Sequence, residues 1–136
     1  LAGELSLNGC IRFAGYVAES ELIYGDMDVL LVPSTGPEAF GLVAVEAGLR
    51  GIPVIASETG GLTEIVEDGV GGLLVPPGDP EALHTAICEM MKDWSRLREM
   101  GKHHELRCRA LFSMERLAAD LDREVTELTS SGEAHS

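Results

Sequence analysis

The sequence predicts an α/β fold in which helices cover both faces of a doubly wound parallel sheet. Short continuous apolar runs, typical of buried parallel strands, alternate along the chain with helical patterns. The 16 glycines cluster between those runs, where tight turns from strand to helix need them. Hydrophobic residues make up 45% of the 136 residues, which excludes a disordered chain and allows one domain with a working core.

The first half of the chain is predicted to alternate between strands and helices. Continuous apolar character predicts the strands, and a glycine followed by a proline two residues later predicts the end of the main helix, at Gly51 and Pro53. The predicted elements are a strand at 11–15, a short helix at 20–24, a strand at 28–32, a helix at about 41–49 and a strand at 53–57.

The second half continues the alternation and then becomes helical. A short helix at 62–66 follows the turn Gly60-Gly61, and a strand is predicted at 72–76. Asp79 is placed as an N-cap, with Pro80 in the first helical position. The later predictions are a helix with an apolar stripe at Leu83, Ile87, Met90 and Met91, a charged helix at 95–111, a last helix from Ser113 to about 128, and a disordered tail at 129–136.

Charge and cysteine content narrow the possible partners and the compartment. The net charge is −13, with 23 acidic and 10 basic residues, which argues against nucleic acid and anionic lipid as partners. Cys10, Cys88 and Cys108 are too few and too widely spaced for a disulfide framework, so a reducing cytoplasm is expected. No apolar run approaches the roughly 20 residues of a membrane span. No signal-peptide pattern is visible, and because the chain starts at Leu1 without a methionine, a fragment or an excised domain is expected.

Two glutamates eight positions apart, Glu38 and Glu46, are the most informative residues. They flank the junction between a predicted strand end and the predicted helix that begins near Gly41. The first backbone N–H groups of such a helix, together with its dipole, favour an anion, and phosphate is the usual one. Carboxylates accept hydrogen bonds from hydroxyl groups. A phosphate site beside two carboxylates predicts a sugar nucleotide as the ligand, whereas a surface helix with acidic residues near its start is the alternative interpretation.

A longer series of short motifs resembles one enzyme family. The chain is similar to the donor-binding half of group 1 retaining glycosyltransferases, which have the two-domain GT-B fold, and the similarity covers residues 11 to about 125. The matching motifs are Pro33-Ser34, Glu38, Phe40-Gly41, Glu46, Gly51-Ile52-Pro53-Val54, Gly60-Gly61 with Glu64, Asp68-Gly69, Gly72-Leu73-Leu74-Val75, Pro77-Gly78-Asp79 and Phe112-Ser113 with Glu115.

The resemblance implies a role for each matching position. Glu38 would contact the hydroxyls of the donor sugar and is the residue assigned to catalysis, and Glu46 would hold the ribose hydroxyls. The backbone N–H groups of Phe40, Gly41, Leu42 and Val43 would face the sugar and the diphosphate. Tyr16 and Val17, in the loop after the first strand, would lie near the base.

The resemblance also implies a reaction. Family members transfer a sugar from a nucleotide-diphosphate sugar with retention of configuration and usually without an essential metal, and their leaving diphosphate helps to take up the acceptor proton. No cofactor is therefore expected. The protein mainly stabilises the charge that develops on the diphosphate. The two carboxylates on one segment are then binding groups, not an acid/base pair on either side of a scissile bond.

The chain lacks several features of the family pattern. The Arg and Lys that hold the diphosphate, and the acceptor domain with its His, would precede this sequence. The fold is then an incomplete Rossmann-like domain over residues 1–128, missing the first strands of the GT-B C-terminal domain. Two missing strands would separate the predicted strand 11–15 from strand 28–32, leaving an unpaired sheet edge. Dimerisation, a domain swap or a rearranged first strand is predicted.

Two alternatives remain open at this stage. The chain is either the donor-binding half of an enzyme and inactive by itself, or a noncatalytic module that binds a nucleotide sugar or serves in assembly. His103, His104 and Cys108 offer potential metal ligands at helical spacing, but with no third and fourth ligand nearby a charged surface helix is favoured. Cys88 is predicted to be a core residue.

Overall fold

The computed structural model describes residues 4, 6, 9–37, 40–113 and 122–123, and within them it contains a three-stranded parallel sheet with helices on both faces. The strands are β1 (Leu30–Val32), β2 (Val54–Ser57) and β3 (Gly72–Val75). The helices are α1 (Ser20–Tyr24), α2 (Leu42–Gly48), α3 (Leu62–Ile65), α4 (Pro80–Met90) and α5 (Trp94–Leu111). The predicted α/β class and parallel sheet are confirmed.

The sheet follows chain order, with β2 in the centre. Leu31 of β1 pairs with Ile55, and Ile55 pairs in turn with Leu73 of β3. Every residue of β2 is buried, which explains its continuous apolar sequence. Gly72 lies where a Cβ would overlap the carbonyl oxygen of Val54, so β3 can approach β2 only with glycine at that position.

Alternate residues of the sheet contribute to two separate hydrophobic cores. On one face, Val54 and Ala56 pack with residues of α2 and α3 and with Cys108 of α5. On the other face, Ile55 and Val75 pack with α4 and with the first turns of α5. Helix α5 contributes Leu97 and Met100 to one core and Cys108 to the other. Helices therefore cover both faces of the sheet, which is the doubly wound arrangement that the sequence predicts, and α5 contributes to both cores.

The two longest helices begin at aspartate caps. The Asp79 carboxylate accepts a hydrogen bond from the Ala82 N–H at 2.9 Å, and Pro80 occupies the first helical position, as predicted. The Asp93 carboxylate accepts from the Ser95 and Arg96 N–H groups at 2.9 and 3.1 Å. Local side-chain chemistry thus fixes where α4 and α5 start.

Helix α5 packs against α2 through a small residue on α2. His104 and Cys108 are fully buried, and a Cβ built on Gly48 would overlap the Cys108 sulfur and lie 2.8 Å from His104 Nε2. The His104 Nε2–H donates to the carbonyl oxygen of Ala44 at 3.0 Å. Gly101, one turn earlier on α5, approaches the Gly51 carbonyl closely enough that a Cβ there would also overlap. Glycines thus set the distance between α5 and α2.

The predicted strand at 11–15 is wrong. Residues 11–15 have no regular secondary structure and are exposed, with Phe13 85% accessible. A strand needs a paired neighbour, and among the described residues the sheet ends at β1, whose outer edge pairs with no other described strand. The structure therefore agrees with a rearranged first segment and an open β1 edge, while dimerisation stays a prediction.

Three side-chain predictions on the helices also need correction. Cys88 is exposed, with its sulfur 3.7 Å from His84 Nε2, because the buried side of α4 is formed by neighbours such as Ala86 and Met90. Met91 is 43% exposed at the end of that helix. The charged helix at 95–111 is not only a surface helix, because His104 and Cys108 lie on its buried side.

Parts of the predicted C-terminus lie outside the described residues. They comprise most of the last helix predicted from Ser113 and the tail at 129–136. None of the helices in the described part of the chain has the length and apolar character that a membrane span would need.

The close approach at Gly48 leads to a stability prediction. Gly48→Ala places a methyl group against the Cys108 sulfur and the His104 ring, so we expect the free energy of unfolding to fall by about 1–3 kcal/mol. Gly36→Ala is the matched control, because a Cβ there meets nothing within 4 Å. Chemical denaturation followed by circular dichroism measures both variants. Equal stability of the two variants would contradict the tight contact.

Burial of His104 predicts a dependence of stability on pH. Burial lowers the pKa of His104 below its ordinary 6.5, against an opposing effect of the hydrogen bond to Ala44, and the charge of nearby Arg107 lowers it slightly further. Protons then bind more strongly to the unfolded chain, so the stability due to neutral His104 is complete above about pH 6.5 and falls as the pH drops towards the folded pKa. We expect a slope of up to about 1.4 kcal/mol per pH unit.

Denaturation between about pH 7.5 and pH 5.5 measures this slope. His104→Gln should flatten the slope relative to the unmodified chain. His103→Gln is the matched control, because His103 is exposed on the same helix, and it should leave the slope unchanged. A slope that is the same in all three proteins would contradict the assignment.

Candidate functional site

The candidate site lies at the edge of the sheet where the three parallel strands end. The loops after β1, β2 and β3 meet there, since the carboxyl ends of parallel strands share one edge. The hydroxyl of Thr59, after β2, lies 3.5 Å from the carbonyl oxygen of Gly36, after β1. The first two loops are therefore adjacent, and the β1 loop leads directly into α2.

A left-handed glycine begins α2. Gly41 has φ +58° and ψ +34°, and its carbonyl accepts from the N–H groups of Ala44 at 2.9 Å and Val45 at 3.3 Å. It is buried, and a Cβ there would lie 3.0 Å from side-chain atoms of both Leu62 and Ile65 on α3. Both the backbone conformation and the space require glycine at this position. The helix begins at Leu42, one residue after the predicted start.

Large apolar side chains are exposed around the beginning of α2. Phe40, Leu42 and Val43 are 75%, 64% and 44% accessible. Val43 lines a cleft of about 430 Å³ on the side of β1, together with Tyr24 and Val32. Clustered exposed apolar residues are typical of surfaces that contact another molecule. Three of the residues predicted from the sequence are thus brought together at one surface.

Glu46 lies one turn further along α2, on its exposed side, and Arg50 links its backbone to α1. The Glu46 carboxylate lies near enough to Tyr24 to raise the pKa of the Tyr24 hydroxyl. Arg50 lies one turn after Glu46, donates from Nη1 to the Glu46 carbonyl at 3.0 Å, and places its guanidinium 4.9 Å from the centre of the Tyr24 ring. Its Nη2 donates to Glu21 Oε1 at 2.9 Å. The Arg50 guanidinium therefore contacts the Tyr24 ring, the Glu46 backbone and the Glu21 carboxylate.

The environment of Tyr24 keeps its hydroxyl protonated. The residue is only 6% exposed. Burial raises the pKa of Tyr24, and the negative charge of Glu46 and the hydrogen bond to it raise that pKa further, against a smaller opposing effect of Arg50. The phenol is therefore neutral at neutral pH.

Two other predicted site residues, Tyr16 and Val17, do not line the cleft beside Val43. Tyr16 is 93% exposed and Val17 is half-buried, both in a segment without regular secondary structure, and neither is among the described residues that line the cleft beside Val43. Their assignment to the base stays a prediction. Glu38 lies outside the described residues, so its role also stays a prediction.

Sequence reasoning missed the two residues that surround Glu46. Neither Arg50 nor Tyr24 is among the site residues that the sequence predicts. Glu46 and Arg50 are four residues apart, a spacing that places them on one face of a helix and could have signalled a pair. The approach of Tyr24 from a different element leaves no local signal in the sequence.

Metal ligands do not cluster in the described part of the chain. Across residues 9–37 and 40–113, no three His, Cys, Asp or Glu side chains come together as a metal site would need. His104 is bonded to a carbonyl oxygen, and burial raises the pKa of the Cys108 thiol to about 11. These two residues therefore contribute to the core.

Comparison with known proteins gives consistent matches. The sequence profile of the family described as "Glycosyl transferases group 1" matches residues 1–93. The D-inositol 3-phosphate glycosyltransferase of Corynebacterium jeikeium is 37% identical over 134 residues, which is 97% of this chain and 32% of the relative. The enzyme of the same name from Mycolicibacterium gilvum is 42% identical over 92 residues, covering 66% and 21% of the two proteins.

Solved structures show the same similarity in three dimensions. Sucrose-phosphate synthase from Thermosynechococcus elongatus superposes with a TM-score of 0.84 at 38% identity, over 96% of this chain and 33% of that one. Anabaena Alr3699/HepE in complex with UDP gives a TM-score of 0.82 at 30% identity, over 96% and 35%. The chain thus spans about a third of the length of these proteins. With the GT-B Rossmann-like fold of these neighbours and a family match over more than half its length, the chain belongs to the group 1 glycosyltransferases.

Proposed function

We propose that this chain is the donor-binding part of a glycosyltransferase that transfers a sugar from a nucleotide-diphosphate sugar to an acceptor with retention of configuration. The observation that carries the proposal is the junction between β1 and α2. There a glycine with positive φ turns the chain into a helix at the carboxyl edge of the sheet, and Glu46 stands on the exposed side of that helix.

The ligand class is supported by the chemistry of this junction and by the relatives. Parallel α/β sheets bind ligands outside the carboxyl ends of their strands, where α2 begins. Structures of Alr3699/HepE with UDP and with UDP-glucose, each 30% identical to this chain over 96% of its length, support a nucleotide sugar as the donor. In the proposal Glu46 accepts hydrogen bonds from the ribose hydroxyls, and the Phe40–Val43 backbone faces the sugar and the diphosphate.

The proposed chemistry is electrostatic. The bond between the anomeric carbon and the diphosphate oxygen breaks, the acceptor oxygen bonds to the same face of the sugar, and the leaving diphosphate takes up the acceptor proton. Negative charge grows on the diphosphate in the transition state, so the groups that stabilise it accelerate the reaction. Glu38 contacts the sugar hydroxyls and orients the donor. The proposal includes no essential metal.

We also propose that the site is completed by the rest of the whole protein. Arg50, one turn after Glu46, donates to Glu21 and to the Glu46 carbonyl, and in the proposal the cations that hold the diphosphate come from outside this segment. The acceptor and its domain also lie outside it, and the isolated chain is inactive. The free cysteines Cys10, Cys88 and Cys108 support a reducing, cytoplasmic compartment.

A transfer assay tests the proposal. The whole protein, given a panel of nucleotide-diphosphate sugars and acceptors, should release nucleoside diphosphate and form a glycoside with the anomeric configuration of the donor. Product of inverted configuration would contradict retention. Donor binding without transfer in the whole protein would favour the noncatalytic module.

Glu46→Gln should weaken donor binding. Loss of the charged acceptor should raise the KM for the donor by about 10- to 100-fold with a smaller change in kcat, because a hydrogen bond to a charged group contributes about 1.5–3 kcal/mol. Steady-state kinetics of the whole protein measures it. Glu99→Gln, an exposed glutamate on α5, is the matched control and should leave the KM unchanged. Equal behaviour of the two variants would contradict the role of Glu46.

Glu38→Ala should separate recognition of the sugar from recognition of the nucleotide. We expect affinity for the nucleotide-diphosphate sugar to fall by about 10-fold or more and affinity for the free nucleoside diphosphate to stay the same, because only the sugar hydroxyls contact Glu38 in the proposal. Isothermal titration calorimetry on the whole protein compares the two ligands. An equal loss for both would remove Glu38 from the sugar subsite.

A further inference from the structure

We propose that Arg50 is a positioning residue for the reaction, which caps the end of α2, links it to α1 and so holds Glu46 where the ribose of the donor binds. This inference rests on the proposed function, because it assumes that Glu46 binds ribose. It adds to that function a residue that is not part of any motif on which the family resemblance rests.

The first support is the hydrogen bonding at the end of α2. In a continuing α-helix the backbone N–H of Arg50 would donate to the carbonyl of Glu46, four residues earlier. It donates instead to the Ala47 carbonyl at 3.0 Å. The Arg50 side chain bonds to the Glu46 carbonyl, with Nη1 3.0 Å from its oxygen. An arginine in this position satisfies a carbonyl of the last turn and stabilises the negative end of the helix dipole. The capped residue is therefore the one that carries the candidate carboxylate.

The second support is that the same guanidinium contacts α1. Its Nη2 donates to Glu21 Oε1 at 2.9 Å. The guanidinium carbon lies 4.9 Å from the centre of the Tyr24 ring, a cation–π distance. That ring is itself fixed, because Tyr24 is 6% exposed and belongs to the hydrophobic core with Val32 and Ala47. Arg50 therefore connects the end of α2 to a helix that the core holds in place.

The combination of contacts matters more than the ion pair. The Glu21 side chain is 82% exposed, and an ion pair so open to solvent stabilises little by itself. A guanidinium, however, is planar and carries its five N–H donors in fixed directions. Bonds to the Glu46 carbonyl and to Glu21, together with the contact to the Tyr24 ring, therefore restrict one rigid group from three sides.

The consequence for binding is preorganisation. Glu46 is exposed, whereas its neighbours Val45 and Ala47 are buried, so core packing holds the inner side of this turn and Arg50 holds its end. Without that cap the last turn of a helix of seven residues would fray, and the carboxylate would occupy a range of positions. Because the turn is ordered before the donor arrives, the ordering cost of binding is lower and affinity is higher.

Direct contact with the diphosphate is the alternative role for a cation in this position. The two roles differ in the part of the ligand on which they depend. If Arg50 acts through Glu46, its loss weakens only ligands that have ribose hydroxyls. If Arg50 binds the diphosphate, its loss weakens every nucleoside diphosphate, whatever its sugar.

The test measures equilibrium binding to the whole protein. The probe is whichever of UDP, GDP and ADP binds the unmodified protein best, and it is compared with its 2′,3′-dideoxy analogue. Arg50→Gln should reduce affinity for the ribonucleotide by about 3- to 10-fold and leave affinity for the dideoxy analogue unchanged. In kinetics the donor KM should rise while kcat stays the same. On a Glu46→Gln background the additional effect of Arg50→Gln should disappear.

Two further variants separate positioning from a general loss of structure. Glu21→Gln keeps Arg50 and removes only its charged partner on α1, so it should weaken the ribonucleotide selectively by about 2-fold. Arg96→Gln is the matched control, because Arg96 forms a comparable exposed ion pair with Glu89 at 3.1 Å. It should leave both affinities unchanged, and a selective loss as large as that of Arg50→Gln would contradict the proposal.

The outcomes separate this inference from the function on which it rests. A Glu46→Gln variant that loses the preference for ribose, beside an Arg50→Gln variant that keeps it, would overturn the role of Arg50 and leave the proposed site intact. An Arg50→Gln variant that weakens both ligands equally would overturn positioning through Glu46. A Glu46→Gln variant that binds both ligands as the unmodified protein does, or an unmodified protein that binds none of the three diphosphates, would overturn the proposed site itself.

Discussion

The close approach of α5 to α2 at Gly48 is the contact on which the rest of the structure depends. Helix α2 has only seven residues, too few to be stable by itself, so its position is set by its neighbours. Glycine allows the buried side chains of His104 and Cys108 to pack against its backbone, and His104 bonds to the Ala44 carbonyl in the middle of the helix. The position of α2 in turn sets the position of the candidate site.

The same short helix is held at both ends by different kinds of contact. At its start the constraint is steric, because Gly41 has a positive φ and packs closely against Leu62 and Ile65 of α3. Towards its end the constraint is polar, because Arg50 bonds to Glu46 and to Glu21 of α1. The exposed apolar residues and the carboxylate thus belong to a rigid element. Rigid support is what a binding site requires if its groups are to be in place before the ligand arrives.

The sequence predicted the strands and helices that are determined by short local patterns of residues. The strands in the sheet follow from continuous apolar runs, and α4 follows from the cap at Asp79 and from Pro80, as the structure confirms. Residues 11–15 have an equally strand-like sequence, but a strand also needs a partner, and pairing is not encoded locally. The same limit applies to the site. Glu46 was identified from its motif, whereas Tyr24 approaches it from 22 residues away, and the buried side of α5 was hidden by the charges around His104 and Cys108.

The charge distribution indicates which part of a nucleotide sugar this chain would recognise. A diphosphate needs cations, yet the chain carries 23 acidic and 10 basic residues. Several of its arginines are also bonded to other groups of the protein. Arg107 bonds to the carbonyls of α3, and Arg96 and Arg109 pair with glutamates on α4 and α5. What α2 offers to solvent is a carboxylate and apolar surface, which suit ribose and sugar rather than phosphate. The proposal therefore assigns recognition of the donor's hydroxyls to this chain and neutralisation of its diphosphate to the remainder of the whole protein.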